Sequence, residues 1–384
     1  MTKKLYYEEG YLQNFEATIV SCESYKSGYC VVLEETAFYP EGGGQPSDQG
    51  VLDEAKVSHV FIKEGIIYHV VDRPLEVGKK IIGKIDFKRR FDYMQQHTGE
   101  HILSGLINKL YQYNNVGFHL SETYMTADFD GELTKEQVQE IEQLANEAVY
   151  KNIHLHCEIY PKEEIENIPY RSKLELDGEV RLVRVEGYDV CACCGIHVAY
   201  TGEVGLIKII SADRHRGGTR LTILCGNRAL KDYSKKQEIV SELMSLLSAK
   251  EELVPHYTKK LQEELGSTKQ KLAAYWGQLI AIQAKEIASK AKGPICLVEE
   301  GLTSDELRKV CLAICQETEE ICLLLSEKEG DMKYVLGAKN RDVRPLCKTL
   351  NKAFSGKGGG QAELCQGSLV GSFEELKAYI EKGV

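Results

Sequence analysis

The sequence predicts an α+β protein of several domains: an N-terminal β-barrel, a mixed α+β domain with a metal site, a helical (coiled-coil-like) linker and a C-terminal α/β domain. Three observations predict it. Short apolar–polar alternations broken by Gly/Pro/Asp turns fill residues 1–85. Glycine almost disappears between 232 and 292 while Lys, Glu and Gln accumulate. Strand-like and helix-like runs then alternate from 293 to 384. A length of 384 residues also exceeds what one hydrophobic core ordinarily serves.

In chain order, strands are expected at 17–20, 29–33 and 57–62, making a small barrel over 1–85. Residues 86–231 mix both periods. A helix over 94–111 carries Met94, Ile102, Leu103, Leu106, Ile107 and Leu110 near helical spacing, and a second over 135–150 opens at Thr134 with Glu136 and Glu140 near its start. Strands follow at 153–159, 180–185 and 206–210. In 232–292 the apolar positions Ile239, Leu243, Leu246 and Leu247 describe one helix. Pro255 interrupts the run, and Tyr257, Leu261, Leu265, Leu272 and Leu279 describe another. The two helices form a hairpin or pack on a second chain, so a homodimer through the helical and C-terminal regions is expected. The last region, 293–384, reads strand (295–298), helix (305–316), strand (321–325), strand (333–336), helix (343–354), glycine-rich loop, helix (373–381).

Composition narrows the class. Hydrophobic content of 43% and charged content of 28% are those of a soluble globular protein. The start, MTKKLYYEEGYLQ, holds no apolar run for a signal peptide, and the most apolar short stretch, 321–325, falls far short of the roughly 20 residues of a membrane helix. Thirteen cysteines cannot all pair, and most lie scattered in apolar segments (Cys30, Cys296, Cys311, Cys315, Cys322). A reducing cytoplasm with one metal site is therefore expected rather than a disulfide scaffold. The net charge of −10 argues against nonspecific coating of nucleic acid. Between residues 333 and 357, however, seven Lys/Arg face the single Asp342, an island of seven minus one in an acidic chain; its ordinary explanation is a solvated helix face.

The sharpest local motif is HTGEH at 97–101. His97 and His101 stand four apart in the expected helix, so both imidazoles project from one face and can share a cation. A hundred residues on, CACCGIHV supplies Cys193 and His197 around Gly195, whose missing side chain lets the loop turn tightly. Three imidazoles and a thiolate suit Zn2+ by ligand type. Cys191 and Cys194 compete with Cys193 for the same place. His154 and His156 also share a strand face, which reads as a polar sheet surface. Four protein ligands ordinarily mean a closed structural site, whereas a catalytic site keeps a position open; either one ligand is labile or the ion takes a fifth.

A second motif, FYPEGGGQP at 38–46, runs from an apolar strand into three glycines. Such a loop lets backbone approach a ligand closely and presents the Gln45 amide. Alone it is a turn, and the GGQ triplet is shared with peptide-release factors. Taken together, FYPEGGGQ, HTGEH, and CCGIHV followed by TGEVGLIKI resemble the editing half of alanyl-tRNA synthetases, and more closely the free-standing AlaX proteins. The segment GKGGGQAELCQGS at 356–368 resembles the signature of the DHH-associated domain at the end of those synthetases, which matches the long AlaX form.

The resemblance implies hydrolysis of the ester at the 3′ end of alanine tRNA wrongly charged with serine or glycine, with Zn2+ on His97, His101, Cys193 and His197. It also implies that Thr36 senses the serine hydroxyl. Gly42, Gly43 and Gly44 would cradle the terminal ribose and carbonyl, with Gln45 as electrostatic stabiliser. Glu100, where synthetases often carry a small residue, and Glu122 in HLSET are the carboxylates open to a general-base role. Lys88, Arg89 and Arg90, then Arg214, Arg216 and Arg220, and at the C-terminus Lys339, Arg341, Arg344, Lys348 and Lys357 are the expected tRNA contacts. Lys357 with glycines 358–360 lacks the Ser/Thr context of a nucleotide-binding loop, so no ATP use is expected. No segment before the barrel could house an aminoacylation domain, so synthetase activity is not expected either. Three alternatives stand beside the hydrolase: a tRNA-binding module with structural zinc, a phosphoesterase acting through the C-terminal domain (which lacks the DHH motif), and a Cys–His hydrolase using Cys193 as nucleophile.

Overall fold

The computed structural model describes residues 2–165, 168–172, 178–328 and 331–383. It divides into two compact units, 1–242 and 243–384, rather than the four domains expected from composition. The barrel does not stand apart: its inward residues and those of the helices and sheets that follow belong to one continuous core, from Tyr6 and Phe15 through Met94 and Ile102 to Ile223.

The first unit opens with β1 (Lys3–Lys4) and α1 (Leu5–Glu8). Strands β2 (Asn14–Tyr25), β3 (Gly28–Leu33), β4 (Glu35–Thr36), β5 (Gly50–Leu52), β6 (Ala55–Lys63), β7 (Ile66–Val71) and β8 (Lys80–Ile85) follow. Six of them close a barrel in the order β2-β3-β7-β6-β5-β8. Alternation along β2 and β8 buries Phe15, Ala17, Ile19, Ile81 and Ile85 while their neighbours face solvent. Helix α2 (Phe87–Tyr111) starts seven residues before its apolar period is legible, because the Asp86 carboxylate caps it by accepting from Arg89 N at 3.1 Å. Next come β9 (Asn115–Leu120), β10 (Met125–Phe129), α3 (Lys135–Lys151), β11 (Leu155–Pro161), α4 (Lys162–Ile165), β12 (Glu179–Val185), β13 (Asp189–Ala192), β14 (Ile207–His215) and β15 (Gly218–Cys225). Thr134 caps α3 in a capping box with Gln137. These strands make an antiparallel sheet β14-β15-β10-β9 and a three-stranded sheet β11-β12-β13.

Helix α5 (Gly226–Leu247) is followed by α6 (Val254–Lys290). Pro255 sits in the first turn of α6, where its missing N–H removes no helical bond. The second unit continues with β16 (Ile295–Val298), α7 (Ser304–Glu317), β17 (Cys322–Lys328), β18 (Asp331–Gly337), α8 (Arg344–Ala353), β19 (Lys357–Gln361), β20 (Leu364–Leu369) and α9 (Phe373–Gly383). The sheet runs β16-β17-β18-β20-β19. Leu323, Leu325, Tyr334 and Leu336 pack with α8 and α9 on one face; Cys322, Leu324 and Val335 pack with α6 and α7 on the other. The expected glycine-rich loop is instead the edge strand β19, paired with β20, which sequence periodicity also missed. Gly358 faces Gly367 across this ladder, and a Cβ on Gly367 would come within 2.8 Å of Tyr334 Cε1. Glycine here makes room for a tyrosine and contributes no apolar signal to read.

Candidate metal centre

Helix α2 presents His97 and His101 one turn apart toward the segment that leaves β13, which carries Cys193 and His197. One ligand atom from each of the four lies within 4.8 Å of the others. The Cys193 Sγ–His97 Nε2 separation is 3.4 Å, close to the roughly 3.5 Å between donors around a tetrahedral ion with bonds of about 2.0–2.3 Å. The three histidines are almost wholly buried and Cys193 is half-buried.

Each imidazole has its Nδ1 engaged. His97 Nδ1 donates to Gln45 Oε1 at 2.8 Å, and His101 Nδ1 to Asp189 Oδ2 at 3.0 Å. His197 Nδ1 lies 3.2 Å from Thr98 Oγ1, which also accepts from Val198 N. A ring held through Nδ1 turns its Nε2 lone pair to the centre, the arrangement that orients metal-ligating histidines. His197 Nε2 is buried and has no hydrogen-bond partner among the described residues, a cost that a cation in the cluster removes. The donor set therefore fits zinc.

The electrostatics point the same way. Burial pushes the Cys193 thiol up, but His97 and His101 beside it hold it well below the ordinary thiol range. Burial, then repulsion from His101 and His97, keep His197 neutral well below the usual imidazole value. Burial works against charge on His101 too, yet the Cys193 thiolate and Asp189 raise it overall, so without a cation this ring is the protonated one and a bound metal ion would displace its Nε2 proton. A thiolate and a neutral imidazole are the forms that bind zinc. Cys191 differs: burial lifts it to about 11 against His101 and Arg171, so it stays a thiol, although with His101 and Asp189 it forms a second close cluster. Cys194 is exposed. His154 and His156 stack edge-on 4.7 Å apart on an exposed face beside Tyr200.

The glycine loop touches this centre. Gly42 and Gln45 exchange backbone bonds of 3.1 and 3.0 Å, with Gly43 and Gly44 at positive φ between them. A Cβ on Gly44 would sit 2.7 Å from Phe118 Cδ1, and Phe118 stacks on the His97 ring at 5.1 Å. Gln45 is 1% exposed, and its Nε2 is buried without a partner among the described residues. Beside the loop opens a cleft of about 460 Å3, lined also by Phe61, Ile62 and His119. Gly195 is required by close approach, not by a tight turn: a Cβ there would collide with the His97 ring, and its φ is not positive. Arg181 ties the same segment down, donating to Cys193 O (2.9 Å) and Gly195 O (2.7 Å) with its guanidinium 4.8 Å over the Tyr7 ring.

Other expected site residues fall in different places. Glu100 is buried, with Oε2 4.0 Å from His101 Nε2; Ser104 Oγ and Asn115 Nδ2 donate to its other oxygen. Glu122 is exposed and pairs with Arg89 at 2.8 Å. Thr36 is fully buried in the barrel. Its hydroxyl lies 2.8 Å from His69 Nε2 and accepts from Phe38 N, and His69 Nδ1 faces Val31 O, which can only accept. The Thr36 hydrogen is thus committed to His69. Arg90 is a correction: it is wholly buried, paired with Asp48 and donating to the carbonyls of Gly10, Leu12 and Ala37, so no phosphate reaches it. Arg220 is held by Asp128 at 2.6 and 2.7 Å, Arg214 by Glu132, and Arg344 by Asp342. Arg216, Lys339, Arg341 and Lys357 are exposed. Motif reading missed Asp189, Thr98 and Phe118. The available signal was that each ligating histidine needs an Nδ1 partner, and Thr98 stands inside HTGEH itself.

A family described as "Threonyl and Alanyl tRNA synthetase second additional domain" matches residues 180–221, and one described as "tRNA synthetases class II (A)" matches 6–89. An alanine–tRNA ligase of Ignicoccus hospitalis is 32% identical over 94% of this chain and 40% of its own length. The alanyl-tRNA editing protein AlaX-L of Pyrococcus horikoshii is 29% identical over 98% of this chain and 96% of its own. The alanyl-tRNA editing protein Aarsd1-B of Xenopus laevis is 29% identical over 89% and 84%. The chain thus spans about two fifths of the ligases and nearly all of AlaX-L.

Proposed function

Because the chain belongs to the AlaX-type family of alanyl-tRNA editing proteins, related to the editing and C-terminal regions of alanyl-tRNA synthetases, we propose that it is a zinc-dependent deacylase acting in trans on mischarged tRNA(Ala). The substrates are Ser-tRNA(Ala) and Gly-tRNA(Ala), and the bond cleaved is the ester to the terminal ribose. The observation that carries the reading is the convergence of three Nδ1-tethered imidazoles and a thiol beside a buried Gln45 amide nitrogen that has no partner among the described residues.

Zinc held there supplies Lewis-acid polarisation of a carbonyl oxygen or of water. Gln45 donates from Nε2 to the ester carbonyl as charge builds on it, with Oε1 fixed by His97 so that no reorientation is needed. The Gly42–Gly44 turn lets the ribose approach the backbone. Glu100, whose Oε2 lies 4.0 Å from His101 Nε2, is the base we assign, since Asp189 is committed to His101 and Arg171; hydrogen bonds from Ser104 and Asn115 hold it in place. Glu122, bonded to Arg89, belongs with the tRNA-facing surface. Arg216, Lys339, Arg341 and Lys357 contact phosphates, and Arg89, Arg214, Arg220 and Arg344 do so by exchanging their carboxylate partners. The C-terminal unit is assigned as the DHH-associated domain. The half-exposed apolar positions Leu261, Leu265, Leu272, Tyr275, Leu279 and Ile282 on α6 suit a second copy. Cytoplasmic residence is part of the proposal; all thirteen cysteines are free, and no described helix is long and apolar enough to cross a membrane.

One observation favours a second reading, a tRNA-binding module with structural zinc: all four ligands are protein side chains. Deacylation of Ser-, Gly- and Ala-charged tRNA(Ala), with and without chelator and with H97A, separates the two. Release of serine or glycine that chelator and H97A both abolish supports the hydrolase; tight tRNA binding without release overturns it.

A further inference from the structure

Behind the metal centre stands a pair of charged residues that no motif contains. Residues 168–172 run beside β13: Arg171 N donates to Val190 O at 2.8 Å, and Ala192 N to Arg171 O at 2.9 Å. This backbone pairing brings the Arg171 guanidinium onto the first residue of the strand. It grips Asp189 as a fork, Nε to Oδ1 at 2.7 Å and Nη2 to Oδ2 at 2.8 Å. Asp189 Oδ2 in turn accepts from His101 Nδ1 at 3.0 Å. The Asp189 side chain is 1% exposed and that of Arg171 17%.

We infer that Arg171 is a positioning residue for the metal centre, fixing Asp189 so that its carboxylate holds the His101 ring with Nε2 toward the cation. The inference rests on the zinc reading of the cluster. A carboxylate held only by one imidazole N–H is free to turn about its Cβ–Cγ bond and to swap oxygens. Two parallel bonds from a planar guanidinium remove that freedom, and a lysine ammonium, a point charge, cannot. The anchor is itself held by main-chain bonds to β13, so restraint passes from backbone to Arg171, Asp189, His101 and the ion. Removing a partner of this kind weakens metal binding by about 10- to 100-fold. The remaining ligands stay in place, because His97 and His197 are tethered independently through Gln45 and Thr98.

The test is zinc affinity of the full chain, read by competition with a chromophoric chelator, for wild type, R171M, R171K, D189N and R171M/D189N. R171M and R171K are each expected to weaken zinc about tenfold or more, and R171M to add less than twofold in the D189N background. A general packing role would instead cost the same in both backgrounds. Wild-type affinity in R171K, or an undiminished R171M effect on D189N, overturns the inference. R171K carries the test if R171M does not fold, because it keeps the charge and removes only the fork. Failure of wild type itself to bind zinc is a separate result and defeats the metal reading, not the relay.

Discussion

Gln45 Oε1 lies 2.8 Å from His97 Nδ1, which joins the glycine loop of the barrel to the histidine face of α2 by one hydrogen bond. The bond settles two orientations at once. His97 must carry its proton on Nδ1 and turn Nε2 toward the His/Cys cluster, and the Gln45 amide must turn its NH2 away, buried and unpartnered among the described residues.

Replacing Gln45 with Ala is expected to lower kcat for deacylation by about 100- to 1,000-fold, the usual loss for one preorganised donor to a developing oxyanion. Zinc affinity should weaken as well, by about 10- to 100-fold, because Gln45 holds the His97 ring through Nδ1, so the rate is read at saturating zinc. Single-turnover release of serine with parallel zinc stoichiometry checks this; a Gln45→Ala enzyme of wild-type rate would remove the residue from the mechanism.

His197→Ala and Cys193→Ser are each expected to abolish zinc retention and activity together, because each deletes a ligand from a set of four. The second unit, whose sheet has its own cores on both faces, should keep its hydrogen-exchange protection. Metal analysis and exchange on the same preparations decide it. Retained zinc in both variants contradicts the ligand assignment.

Acid should destabilise the first unit through His69. Burial pushes its imidazole down to about 4 from an ordinary value of 6.5, against the opposing bond to Val31 O. Between those values a proton binds only the unfolded chain, so stability is full above pH about 6.5 and falls as pH drops toward about 4, by roughly 3 kcal/mol if this group acts alone. Urea unfolding followed in the first unit from pH 7.5 to 4.5 measures the slope, and His69→Gln should flatten it. The Thr36–His69 bond adds a corollary: Thr36→Val should lower stability more than it alters the choice between serine and alanine.

Arg90→Met is expected to cost about 3–5 kcal/mol by leaving Asp48 buried without its partner, while tRNA affinity stays unchanged. Arg216→Ala should do the reverse, leaving stability within about 0.5 kcal/mol and weakening tRNA binding in a salt-dependent way. Thermal melts and filter binding at two salt concentrations test the pair. Lost tRNA affinity in a folded Arg90→Met protein would restore that arginine to the interface.

Both halves of the candidate centre were legible in the chain alone. Four-residue spacing on a helix puts His97 and His101 on one face whatever packs around it, and Cys193 and His197 stand close enough to need no long-range help. Most helices were legible too, because their apolar periods are local, but fewer than half of the strands were named, since short strands such as β9, β10 and β13 carry too few residues to show a period. The partners of those side chains came from long-range packing. Asp189, Thr98 and Gln45 reach the three Nδ1 atoms from separate segments, and an isolated Asp, Thr or Gln carries no mark of what it will touch. The fate of the basic residues was likewise hidden: Arg89 and Arg90 are adjacent in sequence, yet one reaches the surface and the other is sealed against Asp48, because successive helical positions lie about 100° apart and only the packed core fixes which is inside. Glycine was the least legible residue. The same triplet makes a turn at 42–44 and an edge strand at 358–360, since a residue without a side chain accepts whatever its neighbours impose.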